Sequence, residues 1–242
     1  MKKVLITGGN GMLGSELQKH FKEATVLEGK AKLDLTNFKL LENYLKEKSF
    51  DIIIHTAAYT NLKYNEENPL KAENLHCNVV DIFNKYSKKL IFISAQGKNY
   101  ESIYHKTKLM GEVKVIKKKN NLIIRTNIYG DGGLIKWAKN ELVNGNKING
   151  YINCVFNPVS TEQLSILIFK KLNDLTGIVN VGSKSIISKY DFLKILALKL
   201  DLDPNLIFPV KKKMFLDLTV PLNGKFFNFE LLDGIISLQK NE

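Results

Sequence analysis

Short continuous apolar runs alternate with stretches of helical spacing from the start of this chain. Residues 3–7 form an apolar run that ends in glycines, which predicts a buried strand feeding a tight turn. Met12, Leu13, Leu17 and Phe21 fall at helical spacing, and residues 24–27 read as a short second strand. A helix is predicted to follow through about residue 48, with Thr36 or Asn37 as its N-cap. Residues 51–55 are a third apolar strand, 69–86 a long helix, 90–94 another buried strand, 103–116 a helix and 122–125 a further strand.

Strands that lack period-two alternation and are separated by helices fit a parallel sheet covered on both faces. The fold class this predicts is α/β, a doubly wound parallel sheet of the Rossmann type, with a small C-terminal α/β substrate lobe. Helical patterns recur at 134–144, 161–172 and 189–200, between strand candidates that include 178–181 and 206–210. The expected division is a dinucleotide-binding domain over 1–150 and a substrate lobe over 151–242, with the chain crossing between them. No linker, low-complexity tract or internal repeat interrupts the pattern.

Composition narrows the function classes. The chain has 242 residues, 44% of them hydrophobic, enough for a sizeable core. Its apolar runs are shorter than the roughly 18–20 residues a membrane span needs. The first apolar stretch runs directly into a glycine turn, so it reads as strand one of a cytoplasmic protein and not as a signal peptide. The formal charge of +12 comes from lysines spread along the chain, with short clusters at Lys117-Lys118-Lys119 and Lys211-Lys212-Lys213. No nucleic-acid module accompanies them, so neither nucleic acid nor membrane is an expected partner. The two cysteines, Cys77 and Cys154, make no metal-ligand or redox spacing; buried free thiols and no metal are expected.

Two motifs carry chemistry. Thr7-Gly8-Gly9-Asn10-Gly11-Met12-Leu13-Gly14 follows a strand and opens a helix, the context in which such a turn binds a pyrophosphate. Gly8 permits the turn, Gly11 lets backbone approach the phosphates at the helix N-terminus, and Gly14 lets helix and strand pack closely. Glu28 at the end of strand two is placed for a ribose hydroxyl, and Lys30 and Lys32 for a 2′-phosphate, so NAD and NADP both stay open. Asp34 is a candidate acceptor for the adenine amino group, or a helix N-terminal acid. The second motif is Tyr104-His105-Lys106-Thr107-Lys108, which puts a phenol and an ammonium four residues apart on one helical face. An ammonium there is expected to lower the phenol's pKa. Together the motifs point to a nicotinamide-dependent enzyme in which Tyr104 passes a proton. Of the histidines, His55 reads as plugging a turn after its strand, and His105 as a surface residue about 100° round the helix from Tyr104. Asn127 and Tyr129 follow a strand end, where such sheets bind ligands.

With these pieces the chain resembles the extended short-chain dehydrogenase/reductases, and within them the dTDP-4-dehydrorhamnose reductase branch. The branch is suggested by residues 50–60 (Phe-Asp-Ile-Ile-Ile-His-Thr-Ala-Ala-Tyr-Thr), 104–112 (Tyr-His-Lys-Thr-Lys-Leu-Met-Gly-Glu), 122–130 (Leu-Ile-Ile-Arg-Thr-Asn-Ile-Tyr-Gly) and Pro221-Leu222-Asn223. The resemblance implies that Gly8, Gly11, Met12, Leu13 and Gly14 hold the pyrophosphate, Asp34 and Leu35 flank the adenine, and Ala57, Ala58 and Tyr59 line the nicotinamide side. It implies Tyr104 as general acid and Lys108 as its partner and ribose ligand. The cofactor would be NADP or NAD and the substrate a 4-keto nucleotide sugar; a homodimer is one assembly left open. A related epimerase or dehydratase, or a non-catalytic binder of cofactor or nucleotide sugar, shares these features.

The chain also departs from that branch. Where the family places its catalytic threonine stands Ala95, with Ser94 one residue earlier and Gln96 one later. Ser94 is therefore the candidate third catalytic residue, and Gln96, Asn127 and Tyr129 the candidate substrate contacts. Nine residues lie between Ser94 and Tyr104, where the family has a longer loop. Val155 and Val220 stand where it has a glutamine and an arginine.

Overall fold

The computed structural model describes residues 2–95, 102–221, 226–231 and 233–235. It divides into two compact units, and neither is a single run of sequence. Unit 1 comprises Met1–Ala95, Tyr100–Arg125 and Ser165–Val179; unit 2 comprises Gln96–Asn99, Thr126–Leu164 and Asn180–Glu242.

Unit 1 begins as the hydrophobic pattern predicts. The strands are β1 (Val4–Thr7), β2 (Thr25–Leu27), β3 (Phe50–His55), β4 (Ser87–Ser94) and β5 (Leu122–Thr126). They pair in parallel in the order β2-β1-β3-β4-β5. Order reverses at β1, between β2 and β3, and sheets of this kind bind ligands beyond the carboxyl ends of the strands at such a reversal. The helices are α1 (Met12–His20), α2 (Phe38–Lys48), α3 (Leu62–Glu67), α4 (Pro69–Glu73), α5 (Val79–Tyr86) and α6 (Ile103–Val115). Asn37 caps α2 by accepting from the Leu40 amide, and Ser102 caps α6 by accepting from the His105 amide. Leu5, Ile53, Leu90, Phe92 and Ile123 of the strands are buried with Leu41, Leu45, Val79, Phe83 and Val115 of the helices.

Two differences from the sequence expectation matter. The single helix expected over 69–86 is interrupted by a π turn at Asn74–Asn78, between α4 and α5. The short α3 was not expected, because its six residues show no apolar stripe; Asn61 starts it by accepting from the Tyr64 amide.

Unit 2 holds β6 (Ile128–Tyr129), α7 (Gly133–Val143), β7 (Ile148–Tyr151), β8 (Cys154–Phe156) and β9 (Val159–Ser160). Helix α8 (Thr161–Lys171) starts in unit 2 and ends in unit 1, and β10 (Gly177–Ser183) runs back the other way. There follow β11 (Ile187–Ser188), α9 (Lys189–Lys199), β12 (Ile207–Val210), β13 (Leu216–Asp217) and β14 (Phe226–Phe229). β10 follows β5 in the sheet order and pairs in parallel with β14, completing seven strands. The unit has its own core of Tyr129, Ile135, Ala138, Phe156, Phe192, Leu196 and Ile207. Both cysteines are free and buried, as expected.

Candidate active site

The glycine turn is built to present backbone amides. Gly8 sits at φ +72, a conformation in which a side chain would be strained, and a Cβ there would lie 2.7 Å from the Ala57 nitrogen. The end of β1 therefore lies directly against the loop after β3. Ser15 Oγ donates to the carbonyls of Gly9 and Gly11, and Gln18 Nε2 to those of Gly9 and Gly14. The turn's carbonyls are thus held from within the helix. Helix α1 starts at Gly11 with no side-chain cap and no acid in its first turn. Its leading N–H groups are left for an outside acceptor, the arrangement that binds an anion. These residues fit a dinucleotide pyrophosphate. Met12 is half-buried there, whereas the side chain of Leu13 is buried and leaves only backbone to the turn.

The residues expected beside an adenosine are engaged with one another or with the core. Asp34 Oδ1 accepts from the Thr36 amide at 2.9 Å and from its hydroxyl at 2.6 Å, while Oδ2 lies 3.7 Å from Lys30. Those hydrogen bonds and the Lys30 charge hold the carboxyl below its usual range, against the opposing effect of burial. Leu35 is buried in the core of unit 1. Glu28 is paired with Lys32 at 3.2 Å.

The catalytic candidates lie on β4 and α6. Lys108 is buried, with its Nζ 4.0 Å from the centre of the Phe92 ring. Burial lowers its pKa to about 7, opposed by the charge of Glu112. The sequence argument expected Lys108 to pull Tyr104 down. Instead, burial raises the Tyr104 phenol to about 12. Desolvation of the phenolate outweighs the pull of an amine that is itself close to neutral. Ser94 is two residues from Phe92 on β4, so its side chain shares the sheet face on which Lys108 rests. Its Oγ is buried and has no hydrogen-bond partner among the described residues. Gln96 lies outside the described residues.

Three histidines surround this helix. His55 is buried at the end of β3, as expected of a turn plug, and burial lowers it to about 3. His76 lies on the π turn, edge-on to Tyr104 at 5.5 Å between ring centres, and burial lowers it to about 2. His105 is not the surface residue expected. Its Nδ1 meets Ser102 Oγ at 2.6 Å, its ring lies 5.1 Å from that of Tyr104, and burial lowers it to about 4. Helical angle alone missed this because the capping serine draws the ring inward.

Asn127 and Tyr129 belong to unit 2, and both side chains are engaged there. Asn127 Nδ2 donates to the Leu218 carbonyl, and the Tyr129 hydroxyl donates to that of Leu231 at 3.0 Å. The Tyr129 ring is buried edge-on to Phe192. These contacts build loop and core structure.

Residues 1–97 match the family model of the RmlD substrate binding domain. Beyond those residues the whole chain is more loosely similar to known proteins. It is similar to the spore coat polysaccharide biosynthesis protein SpsK of Bacillus subtilis (strain 168), at 24% identity over 79% of this chain and 77% of that one. Its fold matches a dTDP-4-dehydrorhamnose reductase of Clostridium acetobutylicum, with a TM-score of 0.86, 24% identity and 99% of each chain covered. It also matches the Bacillus anthracis dTDP-4-dehydrorhamnose reductase in complex with NADP, with a TM-score of 0.83, 24% identity, and 100% of this chain and 98% of that one covered. A dTDP-glucose 4,6-dehydratase of Streptomyces venezuelae with NAD bound has a TM-score of 0.77 at 16% identity, with 98% and 96% covered. Among the described residues no helix is long and apolar enough to cross a membrane, and no cluster of side chains could hold a metal ion.

Proposed function

We propose that this RmlD-like chain is an NAD(P)-dependent reductase of a 4-keto nucleotide sugar, serving surface-polysaccharide or nucleotide-sugar synthesis. The observation that carries the reading is the phenol of Tyr104 one helical turn from the buried amine of Lys108. Both lie in the unit that contains the uncapped glycine turn. When bound, a nicotinamide cofactor supplies the hydride. Tyr104, raised to about 12, keeps its proton at neutral pH and can donate it to an alkoxide forming at the sugar carbonyl. Lys108 supplies a buried amine for the cofactor ribose, and Ser94, whose hydroxyl is unpartnered among the described residues, a second donor beside Ala95. Ala57, Ala58 and Tyr59 face the nicotinamide. Gln96, Asn127 and Tyr129 stay in the proposal as substrate-side positions, with the sugar carried by residues after 150. The proposed setting is the cytoplasm.

The proposed assembly is a homodimer. Helix α6 and its C-cap Ile116 support it with an exposed apolar face of Leu109, Met110, Val113 and Ile116, where Val113 is 59% exposed. An epimerase or dehydratase would use the same cofactor and tyrosine.

Ala95 favours a second reading, a non-catalytic binder of cofactor or nucleotide sugar. Dinucleotide titration followed by turnover of a 4-keto nucleotide sugar separates the two. Binding with turnover that Tyr104→Phe abolishes supports the reductase. Binding without turnover across a panel of 4-keto sugars supports the binder, and no dinucleotide binding overturns both.

A further inference from the structure

We infer that His76, as its Nδ1-protonated tautomer, is a positioning residue that ties the loop of Ala57, Ala58 and Tyr59 to the helix of Tyr104 and Lys108. The role in catalysis rests on the reductase reading; the tie itself rests on hydrogen-bond geometry alone.

The tautomer follows from which groups can donate. The Tyr59 backbone amide has a proton to give and no lone pair to offer, and its nitrogen lies 3.0 Å from His76 Nε2. Nε2 is therefore the acceptor, and in a neutral ring the proton sits on Nδ1. Nδ1 lies 2.8 Å from Thr107 Oγ1, which accepts it. The Thr107 hydroxyl proton then goes to the carbonyl of Ile103 at 2.9 Å or of Tyr104 at 3.0 Å. A single directed chain results, from the Tyr59 amide through His76 and Thr107 to the backbone of α6 at Tyr104.

His55 makes the opposite choice at the other end of the same loop. Its Nε2 lies 3.1 Å from the Leu75 carbonyl, which can only accept, so Nε2 carries the proton. Its Nδ1, 2.8 Å away, accepts from Thr7 Oγ1, and that hydroxyl in turn accepts from the Ala57 amide at 3.4 Å. The loop amides at 57 and 59 are thus each held through a neutral histidine. Leu75 and His76 are consecutive on the π turn, so one distortion of the helix serves both rings. π turns of this kind cluster at functional sites. The loop lies against Gly8 of the glycine turn, so its position relative to Tyr104 sets the distance between cofactor and proton donor. An ångström of error in such a distance costs about 10²-fold in rate.

The test combines NMR with kinetics on the full chain. Imidazole ¹⁵N resonances should show Nε2 of His76 unprotonated, with a through-hydrogen-bond coupling to the Tyr59 amide nitrogen. Thr107→Val leaves His76 in place but removes the acceptor for Nδ1–H. It should shift the ring toward the Nε2-protonated form and raise Tyr59 amide exchange. His76→Leu should raise that exchange about 10²-fold, the loss of one buried hydrogen bond, and lower kcat at least tenfold. His76→Gln, which returns an acceptor to Tyr59, should recover part of both. An Nε2-protonated His76 in the wild type, or unchanged Tyr59 exchange in folded His76→Leu, overturns the tie. Loss of exchange protection with kcat unchanged overturns the positioning role. A wild-type chain that shows the coupling but binds neither NADPH nor NADH overturns the positioning role and the reductase reading together, and leaves the tie standing.

Discussion

The guanidinium of Arg125 closes on the carboxylate of Glu112. Its Nε lies 3.1 Å from each oxygen and its second terminal nitrogen 2.6 Å from Oε2. The pair fastens α6 to the end of β5, one helical turn beyond Lys108. Glu112 is almost fully buried and Arg125 partly so. Glu112→Gln removes the carboxylate charge from this pair. Breaking a fully buried pair costs about 3–5 kcal/mol, and the exposure of Arg125 brings the expected loss to about 2–3 kcal/mol. Urea unfolding measures it. A loss under about 0.5 kcal/mol would show that the pair does not anchor the helix.

The histidines make the fold sensitive to acid. His55, His76 and His105 are lowered to about 3, 2 and 4, so each stays neutral in the folded chain at pH values where the unfolded chain protonates it. Below pH 6.5 the unfolded state binds more protons, and stability falls as pH falls. Each group contributes about 1.4 kcal/mol per pH unit between its unfolded and folded values. Urea midpoints at pH 7.5, 6.5 and 5.5 should decline increasingly, and His76→Gln should remove one histidine's share of the slope. A flat profile from 7.5 to 5.5 contradicts the burial of these rings.

Lys108 acts at the other end of the scale, with the same sign. Its folded value of about 7 lies below the 10.5 of an exposed lysine. From pH 7 to about 10 the unfolded state holds the extra proton, so stability rises with pH by up to about 1.4 kcal/mol per unit. Lys108→Met should flatten that rise and be more stable than the wild type at pH 7. The comparison stops at pH 10, above which Tyr104, raised to about 12, pulls the other way.

Much of this was legible in the sequence, and the remainder has physical reasons. Apolar runs located β1, β3, β4 and β5 because a parallel strand buried on both faces shows no alternation. The glycine turn could be read from spacing alone, since its demands on φ and close approach fall on single residues. The π turn could not be read, because residues 69–86 have an ordinary helical pattern and the extra residue is set by packing. His76 and Thr107 gave no motif signal; their roles come from donors and acceptors that meet across 31 positions of sequence. Asn127 and Tyr129 followed a strand end, as ligand contacts do, yet their partners at Leu218 and Leu231 lie far along the chain.

Gly14 faces the carbonyl of Gly8 so closely that a Cβ would lie 2.1 Å from the oxygen. The obstacle is backbone, which cannot swing aside. Gly14→Ala must push α1 away from β1, at about 1–3 kcal/mol by analogy with overpacked cores. The shift also displaces the amides at the start of α1. The expected result is a folded protein with lowered Tm and at least tenfold weaker NADPH binding, read by fluorescence titration. Unchanged affinity in the folded variant would remove the glycine turn from the cofactor site.

Ala95 offers the sharpest test of whether this chain has kept its chemistry. It follows Ser94 at the end of β4, in the unit that carries Tyr104, and brings no hydroxyl. One oxyanion donor is worth about 10²–10³ in rate when it is placed correctly. If the reductase reading holds and Ser94 substitutes poorly, Ala95→Thr should raise kcat on a 4-keto nucleotide sugar by at least tenfold, with dinucleotide affinity unchanged. If Ser94 already serves as the donor, Ser94→Ala should cost about 10²-fold and Ala95→Thr should gain little. Activity that ignores both substitutions while still depending on Tyr104 would place the second donor outside β4.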